Sequence, residues 1–425
     1  MQKCKSLSAF VVVLFLVISI LTACSSSGGS ATNEQGTVTL ELAVWDQTFD
    51  PLLEQSIERL NEDYPHIQVN VTNTPWARYW DQIRTSIAGG SGPDVLWMNG
   101  PNFQKFAMNN LLSSLDSYVE NDGMDTSQYD DSVIDMYTFN DEQYGIPHFL
   151  SVTVFFYNKR LFDEAGLDYP DDTWTWDDIR ENAKKLTKET DNGKQYGFLA
   201  NTEPQNGYYN FIYQAGGYII NEEGTESGFD LPETQQGLQF LYDMMYEEEV
   251  SPTMQQQAET VPNQFMGSGM VAMMPAIDVH TPALYEMLGD DLGIAQLPAG
   301  PAGKASVVHG LSFVMNSNTD HPDEAWALIK YLTDEESNLE LGKSGLATPT
   351  YSGTEGALFE SLPLDFQAIV DSMEFGAPYP ISIETASWQT VEFDEMTNFF
   401  NRQQTVEEAG QKIADEMNRI LADEQ

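Results

Sequence analysis

The chain has 425 residues, with 66 Asp and Glu against 19 Lys and Arg, and a formal charge of -47 at neutral pH. Binding to phosphates draws on Lys and Arg, so this surface excludes nucleic acid as a partner. The acidic excess reads either as a solvated shell or as adaptation to salty or alkaline surroundings, where screening over about 10 Å or less tolerates self-repulsion.

Residues 1–23 carry Lys3 and Lys5, an apolar run from Ala9 to Leu21, and then Leu21-Thr22-Ala23 before Cys24. This is the form of a secretory signal, too short to span a bilayer as a mature helix. Leu-Thr-Ala-Cys resembles a bacterial lipobox, in which Cys24 is diacylglycerated and becomes the new N-terminus. An ordinary cleaved signal that ends near a Cys is the alternative. Residues 24–36, rich in Ser and Gly, read as a flexible linker. Each buried acyl methylene contributes roughly 0.8 kcal/mol, and more than one chain gives stable anchoring. The expected location is therefore the extracytoplasmic face of the cell membrane, with a lipid as the anchor. Removing 23 of 425 residues leaves 402, and losing two Lys deepens the charge from -47 to -49. Cys4 leaves with the signal, so no disulfide is expected and the fold must be held by its own core.

Next come the folded elements. "VTLELAVW" alternates like a strand; Asp50 is placed to cap a helix with Pro51 in its first turn and Leu52, Leu53, Ile57 and Leu60 on one side. "HIQVNVT" alternates again, "ARYWDQIRTSIAGG" is a helix closed by glycines, and "DVLWM" is a short buried strand. This β-α-β-α-β order predicts parallel strands, with ligands bound beyond their carboxyl ends. Three loops are expected there, carrying Trp45 and Asp46, Trp76, and Trp97 with Asn99 and Asn102, the last shaped into a turn by Gly100 and Pro101. Flat aromatic faces beside carboxylates and amides suit a sugar, whose C–H face stacks on a ring while its hydroxyls take paired donors and acceptors.

Further on, a strand is expected over about Phe149 to Tyr157, followed by a helix with Leu161 and Phe162. "TWTWDDIRENAKKLTKE" opens with Thr175 and Asp178 in capping-box spacing, and its tryptophans read as structural. "PDEAWALIKYLTDEES" is predicted as one amphipathic helix, and the last helix is capped by Thr405 and Glu408. Strands alternating with helices imply an α/β protein of two lobes. The five His are scattered without zinc spacing, and "GPAGKAS" departs from a phosphate loop at Pro298 and Ala305, so neither a metal nor a cofactor is expected.

"YWDQIRTSIAGGSGPDV", "YGIP" with "YNKRLFDEAGL", "TWTWDDIRENAKKLT" and "FMGSGMVAMM", in this order behind a lipobox, resemble the sugar-type extracellular solute-binding proteins of ABC importers, the group of maltose-binding protein. The resemblance runs from about Val38 to the C-terminus. It implies a periplasmic-binding-protein-like α/β fold: two discontinuous lobes with a central ligand cleft, joined by hinge crossings near 146–150, 307–310 and 348–351. Lobe 1 would take residues 37–148 and 309–350, and lobe 2 residues 149–308 and 351–425. It further implies a monomer that captures a saccharide, an oligosaccharide, and delivers it to ABC transporter permease subunits. A secreted carbohydrate-active enzyme is the alternative. By position, the family's cleft residues fall on Trp45, Asp46, Trp76, Trp97, Asn99 and Asn102, and on Tyr208, Tyr209, Asp278, His309, Gly310 and Trp388. Where many relatives carry Gly and Trp after the "AM" motif, this chain has Ile277-Asp278-Val279-His280, which suggests Asp278 as a bonding partner for hydroxyls in place of a stacking ring.

Overall fold

A computed structural model describes residues 36–191 and 193–424. The signal segment, Cys24 and the linker up to residue 35 lie outside the described residues, so the lipobox reading is not addressed by the fold. No helix of the described residues is long and apolar enough to cross a membrane.

The first half of the expected order is present. Strand β1 (Val38–Val44) pairs in parallel with β2 (Ile67–Asn73) and with β3 (Val95–Asn99). Helix α1 (Asp50–Asp63) joins the first two and α2 (Trp76–Ala88) the second and third. Asp50 does not cap α1: it is the first helical residue, behind Phe49, and its Oδ1 accepts from Asn73 Nδ2 at 3.1 Å. The WMNGPN stretch also differs from the expected turn. Trp97 lies inside β3, and Gly100 and Pro101 open helix α3 (Gly100–Met108), because Pro suits a first helical turn where its missing N–H is no loss.

Strand β4 (Gly145–Asn158) is longer than expected, with 14 residues buried almost throughout. Helix α4 (Trp176–Leu186) carries the expected capping box between Thr175 and Asp178. β5 (Gly193–Phe198), helix α5 (Tyr209–Ala215), β6 (Val271–Ile277), β7 (Leu292–Ala295), β8 (Ser306–Met315) and β9 (Thr348–Pro349) follow. The predicted single helix after Pro322 is two, α6 (Pro322–Thr333) and α7 (Glu335–Ser344). Asp334 breaks it, since its side chain accepts from the Ser337 N–H at 2.8 Å and caps the second helix. The chain ends with α8 (Thr385–Phe400) and α9 (Val406–Asp423), the latter capped by Thr405 and Glu408.

The strands run in the order β2-β1-β3-β8-β4-β6-β5, with β7 and β9 also paired to β4. β8 is antiparallel to both β3 and β4. The sheet therefore passes from the first α/β lobe to the second through the long strands β4 and β8, which belong to both. On β4, Leu150 faces Gly310 of β8 on one side and Thr348 of β9 on the other. The three expected crossing segments thus stand side by side. Along β4 and β8 the register passes from Phe149 opposite Leu311 to Pro147 opposite Ser312, leaving His148 as an extra, bulged residue. Its ring is buried 4.7 Å from that of Phe313 and 5.7 Å from that of Trp97, and burial pushes it down to about 3. Two buried clusters flank this junction. One gathers around Leu42, Trp97 and Phe313, the other around Phe198, Tyr209 and Trp388.

Candidate functional site

A cleft of about 780 Å3 opens at the carboxyl ends of β1 and β3, over the bases of β4 and β8. The parallel order of β1, β2 and β3 brings their following segments to one edge, and α2 and α3 begin there. One wall comes from this edge, with Trp45, Asp46, Trp76, Trp80, Arg84, Asn99 and Asn102. The facing wall is α8, which contributes Ala386, Gln389, Thr390, Phe393 and Asp394 at helical spacing. Phe149, Ser151, His309 and Gly310 of the crossing strands form the floor.

The tryptophans form one nest. Trp45 sits edge-on to Trp76 at 5.2 Å between ring centroids and to Trp97 at 4.8 Å, and Trp76 stands at 90° to Trp80. Within it exposure differs sharply: Trp76 is 52% exposed and Trp97 is 0% exposed. Trp97 thus presents little surface to a ligand and holds Trp45 and Phe49 in place. The polar groups are ordered by local bonds. Asn102 Nδ2 donates to Asn99 Oδ1 at 2.9 Å, and Arg84 pairs with Asp81 at 2.8 Å while reaching Asn102. Asp46 caps the turn that follows it, its Oδ1 accepting from the Thr48 N–H at 2.9 Å and from the Thr48 hydroxyl at 2.7 Å.

His309 Nε2 accepts from the Gly100 N–H at 3.2 Å, so that nitrogen carries no proton and the ring is neutral. Its recessed position pushes it down to about 4, in agreement. The ring is tilted against Tyr379 at 4.9 Å. His280, on the same cleft, is also held below its ordinary value by burial, against the pull of Asp46. A Cβ on Gly310 would lie 2.4 Å from Val133 Cγ1, so glycine is required here for close packing.

Of the residues expected from the sequence, Trp45, Asp46, Trp76, Trp97, Asn99, Asn102, His309 and Gly310 come together on this cleft. Tyr208, Tyr209, Trp388 and Asp278 do not line it. Tyr208 and Tyr209 are 1% and 0% exposed, with their hydroxyls turned to Glu392, because the helix they begin packs its aromatic side into the second core. Trp388 is on the cleft helix but on its opposite face, where its indole N–H donates to Ser382 Oγ at 3.0 Å. Asp278 is a staple of the crossing strands: it accepts from the Val152 N–H at 3.2 Å and the Thr348 hydroxyl at 2.8 Å, and burial raises it to about 7. Trp80, Arg84, Gln205, His280 and the α8 stripe are cleft residues that the sequence reasoning passed over. Ala386, Gln389, Thr390 and Phe393 do recur at spacings of three and four, the signal that was available.

Two α/β lobes on shared strands, with an aromatic and amide-lined cleft between them, define a solute-binding protein. The chain belongs to the bacterial extracellular solute-binding protein family, whose profile matches residues 44–339. It is 28% identical over 314 residues to the arabinooligosaccharide-binding protein of Halalkalibacterium halodurans, covering 68% of this chain and 66% of that one. It is 25% identical over 357 residues to the galactooligosaccharide-binding protein of Bacillus subtilis, covering 80% and 79%. Among solved structures, the ABC substrate-binding protein from Listeria monocytogenes in complex with cycloalternan superposes with a TM-score of 0.84 at 23% identity, over 90% of this chain and 99% of that chain. These relatives are binding proteins, and the carbohydrate-active enzyme alternative falls away with them.

Proposed function

We propose that this protein captures an oligosaccharide in the cleft between its lobes and, anchored by a lipid on Cys24, delivers it to the permease of an ABC importer on the outer face of the membrane. The observation that carries the saccharide reading is the combination on one wall of exposed Trp76, the Trp45 edge and the bonded Asn99–Asn102 pair. Rings stack on sugar C–H faces, and amides offer both a donor and an acceptor to adjacent hydroxyls. Phe393 on the facing wall is 63% exposed and supplies a second apolar face across the cleft. A volume of about 780 Å3 leaves room for more than one ring. The two relatives named above for oligosaccharides support the same class.

Capture by closure needs a hinge. The proposed lobes, residues 37–148 with 309–350 and residues 149–308 with 351–425, meet where β4, β8 and β9 lie in register, and the bulge at His148 loosens the ladder at that place. Calorimetric titration with maltotriose, an arabinotriose and a galactotriose tests the saccharide reading. At least one should bind saturably near micromolar, roughly -8 kcal/mol. No heat with any of the three, together with binding of an amino acid or peptide, would overturn it.

A further inference from the structure

Behind His280 stands Asn263. Strand β6 ends at Ile277, and the turn Asp278–His280 that follows it delivers His280 to the cleft. Asn263 comes from the short helix Pro262–Gly267, which buries Phe265 and Met266. This helix lies close against the helix Thr281–Leu288 that leaves the same turn, and a Cβ on Gly267 would meet Met287 Sδ at 2.3 Å. Glycine permits that approach, and Asn263 Nδ2 comes to 3.1 Å from His280 Nδ1. Asn263 is not among the residues that line the cleft, so its amide acts there only through the His280 ring.

The contact fixes which ring nitrogen carries the proton. Burial holds His280 below its ordinary value, so at neutral pH the ring is uncharged and has one N–H. Asn263 could meet Nδ1 with its NH2 or, with the amide reversed, with its carbonyl. As the amide stands, the NH2 donates to Nδ1 and the carbonyl oxygen is buried without a partner. Reversal would put the NH2, with two donors to satisfy in place of one oxygen, into that sealed position, and buried donors left unpaired are costly. Nδ1 therefore accepts, and the proton is on Nε2. Among the described residues Nε2 has no partner, nor is it sealed from solvent, so it opens on the cleft that the ring lines.

We infer that Asn263 is a positioning residue that locks His280 in the Nε2–H tautomer, so that the β6 end of the cleft presents a hydrogen-bond donor to a saccharide oxygen that only accepts, a ring or glycosidic oxygen. This rests on the cleft being the ligand site. Such oxygens have no proton to give, and a lone pair in place of the Nε2–H would repel them. The other cleft histidine is fixed in the opposite sense. His309 Nε2 accepts from the Gly100 N–H, which leaves the one ring proton on Nδ1. Acceptors for hydroxyl protons come from the first wall, where Asp46 engages Thr48 through Oδ1 alone.

Nitrogen NMR of the ligand-free protein, isotope-labelled at histidine, reads the tautomer directly, because a protonated ring nitrogen and one with a lone pair resonate far apart. His280→Gln identifies the ring by its loss. Spectra are taken at about pH 9.5, where the ring is neutral even beside a new carboxylate. The parent should show the proton on Nε2. Asn263→Asp, a carboxylate of the same shape that only accepts, should move it to Nδ1, and Asn263→Ala, the second variant should the first not fold, should leave both tautomers populated. A proton on Nδ1 in the parent, or one that stays wholly on Nε2 in the folded variants, would overturn the inference. Calorimetric titration at the same pH, with whichever of the three trisaccharides binds the parent, should show an affinity about tenfold lower in Asn263→Asp. In a His280→Gln background, which keeps an N–H donor and has no tautomer, the same change should have no further effect. An equal loss there would assign the effect to the added charge and overturn the role in ligand binding. No saccharide enters the NMR measurement, so a failed sugar titration and a failed lock are told apart.

Discussion

Two tryptophans, one on the cleft and one behind it, show how burial separates ligand contact from support. Trp76 is 52% exposed on the cleft, while Trp388 is 0% exposed and bonded to Ser382. Replacing Trp76 by Ala removes a stacking face with little lost packing, so saccharide affinity should fall roughly tenfold, about 1.4 kcal/mol, with the melting temperature of the ligand-free protein nearly unchanged. Trp388→Ala opens a cavity in the second core and should cost about 3–5 kcal/mol of stability. Calorimetric titration and thermal unfolding of both variants check the contrast. A Trp388→Ala protein that melts like the parent but has lost its sugar would put that ring back on the cleft. In the sequence, Trp45 and Trp76 were legible because each follows a strand and stands beside polar residues. Trp388 was not, since a helix shows its faces only once its neighbours are known.

At the scale of elements, the strand–helix alternation up to β3 and the two capping boxes were readable because each rests on local chemistry: period, cap and glycine. The α8 wall was hidden for a physical reason. Both of its faces carry apolar residues, Trp388 and Met396 toward the core and Phe393 toward the cleft, so the apolar–polar contrast that marks an ordinary surface helix is blurred. The shared strands were equally hidden, because pairing between β4, β8 and β9 joins residues some 150 to 200 positions apart, for example Leu150 with Gly310 and Thr348. One cross-cleft tie joins the helices themselves: Lys105 of α3 meets Glu384 at the start of α8 at 2.7 Å, and this pair holds the Glu384 carboxyl below its ordinary range. Both side chains are partly exposed, so the pair is worth at most about 1 kcal/mol. Lys105→Met should therefore weaken saccharide binding by up to about fivefold at low salt, and the difference from the parent should shrink in molar sodium chloride. Equal affinities of the two proteins at low salt would show that the pair does not help closure.

The whole molecule combines an acidic exterior with buried groups whose titration opposes one another. Glu392 and Asp278 are raised by burial to about 8 and about 7. Each contributes stability that is fully present below its ordinary carboxyl value and is lost as pH rises through the folded value. His148 and His309, lowered to about 3 and about 4 from 6.5, act in the other sense: their contribution is present above 6.5 and is lost as pH falls. Of these four groups the two acids are the ones that still change above 6.5, and together they should cost the ligand-free protein on the order of 1–2 kcal/mol between neutral pH and the alkaline side of 8. Repulsion within the acidic shell, with 66 Asp and Glu against 19 Lys and Arg in the chain, is a separate source of instability that yields to salt. Melting curves over a grid of pH and sodium chloride separate the two sources. Salt should raise the melting temperature at every pH, while the alkaline decline should persist in molar salt, because groups without solvent around them are poorly screened. Glu392→Gln should flatten that decline and leave the salt response intact. A decline abolished by salt in the parent, or unchanged in Glu392→Gln, would assign the pH dependence to the shell and not to the buried carboxyl.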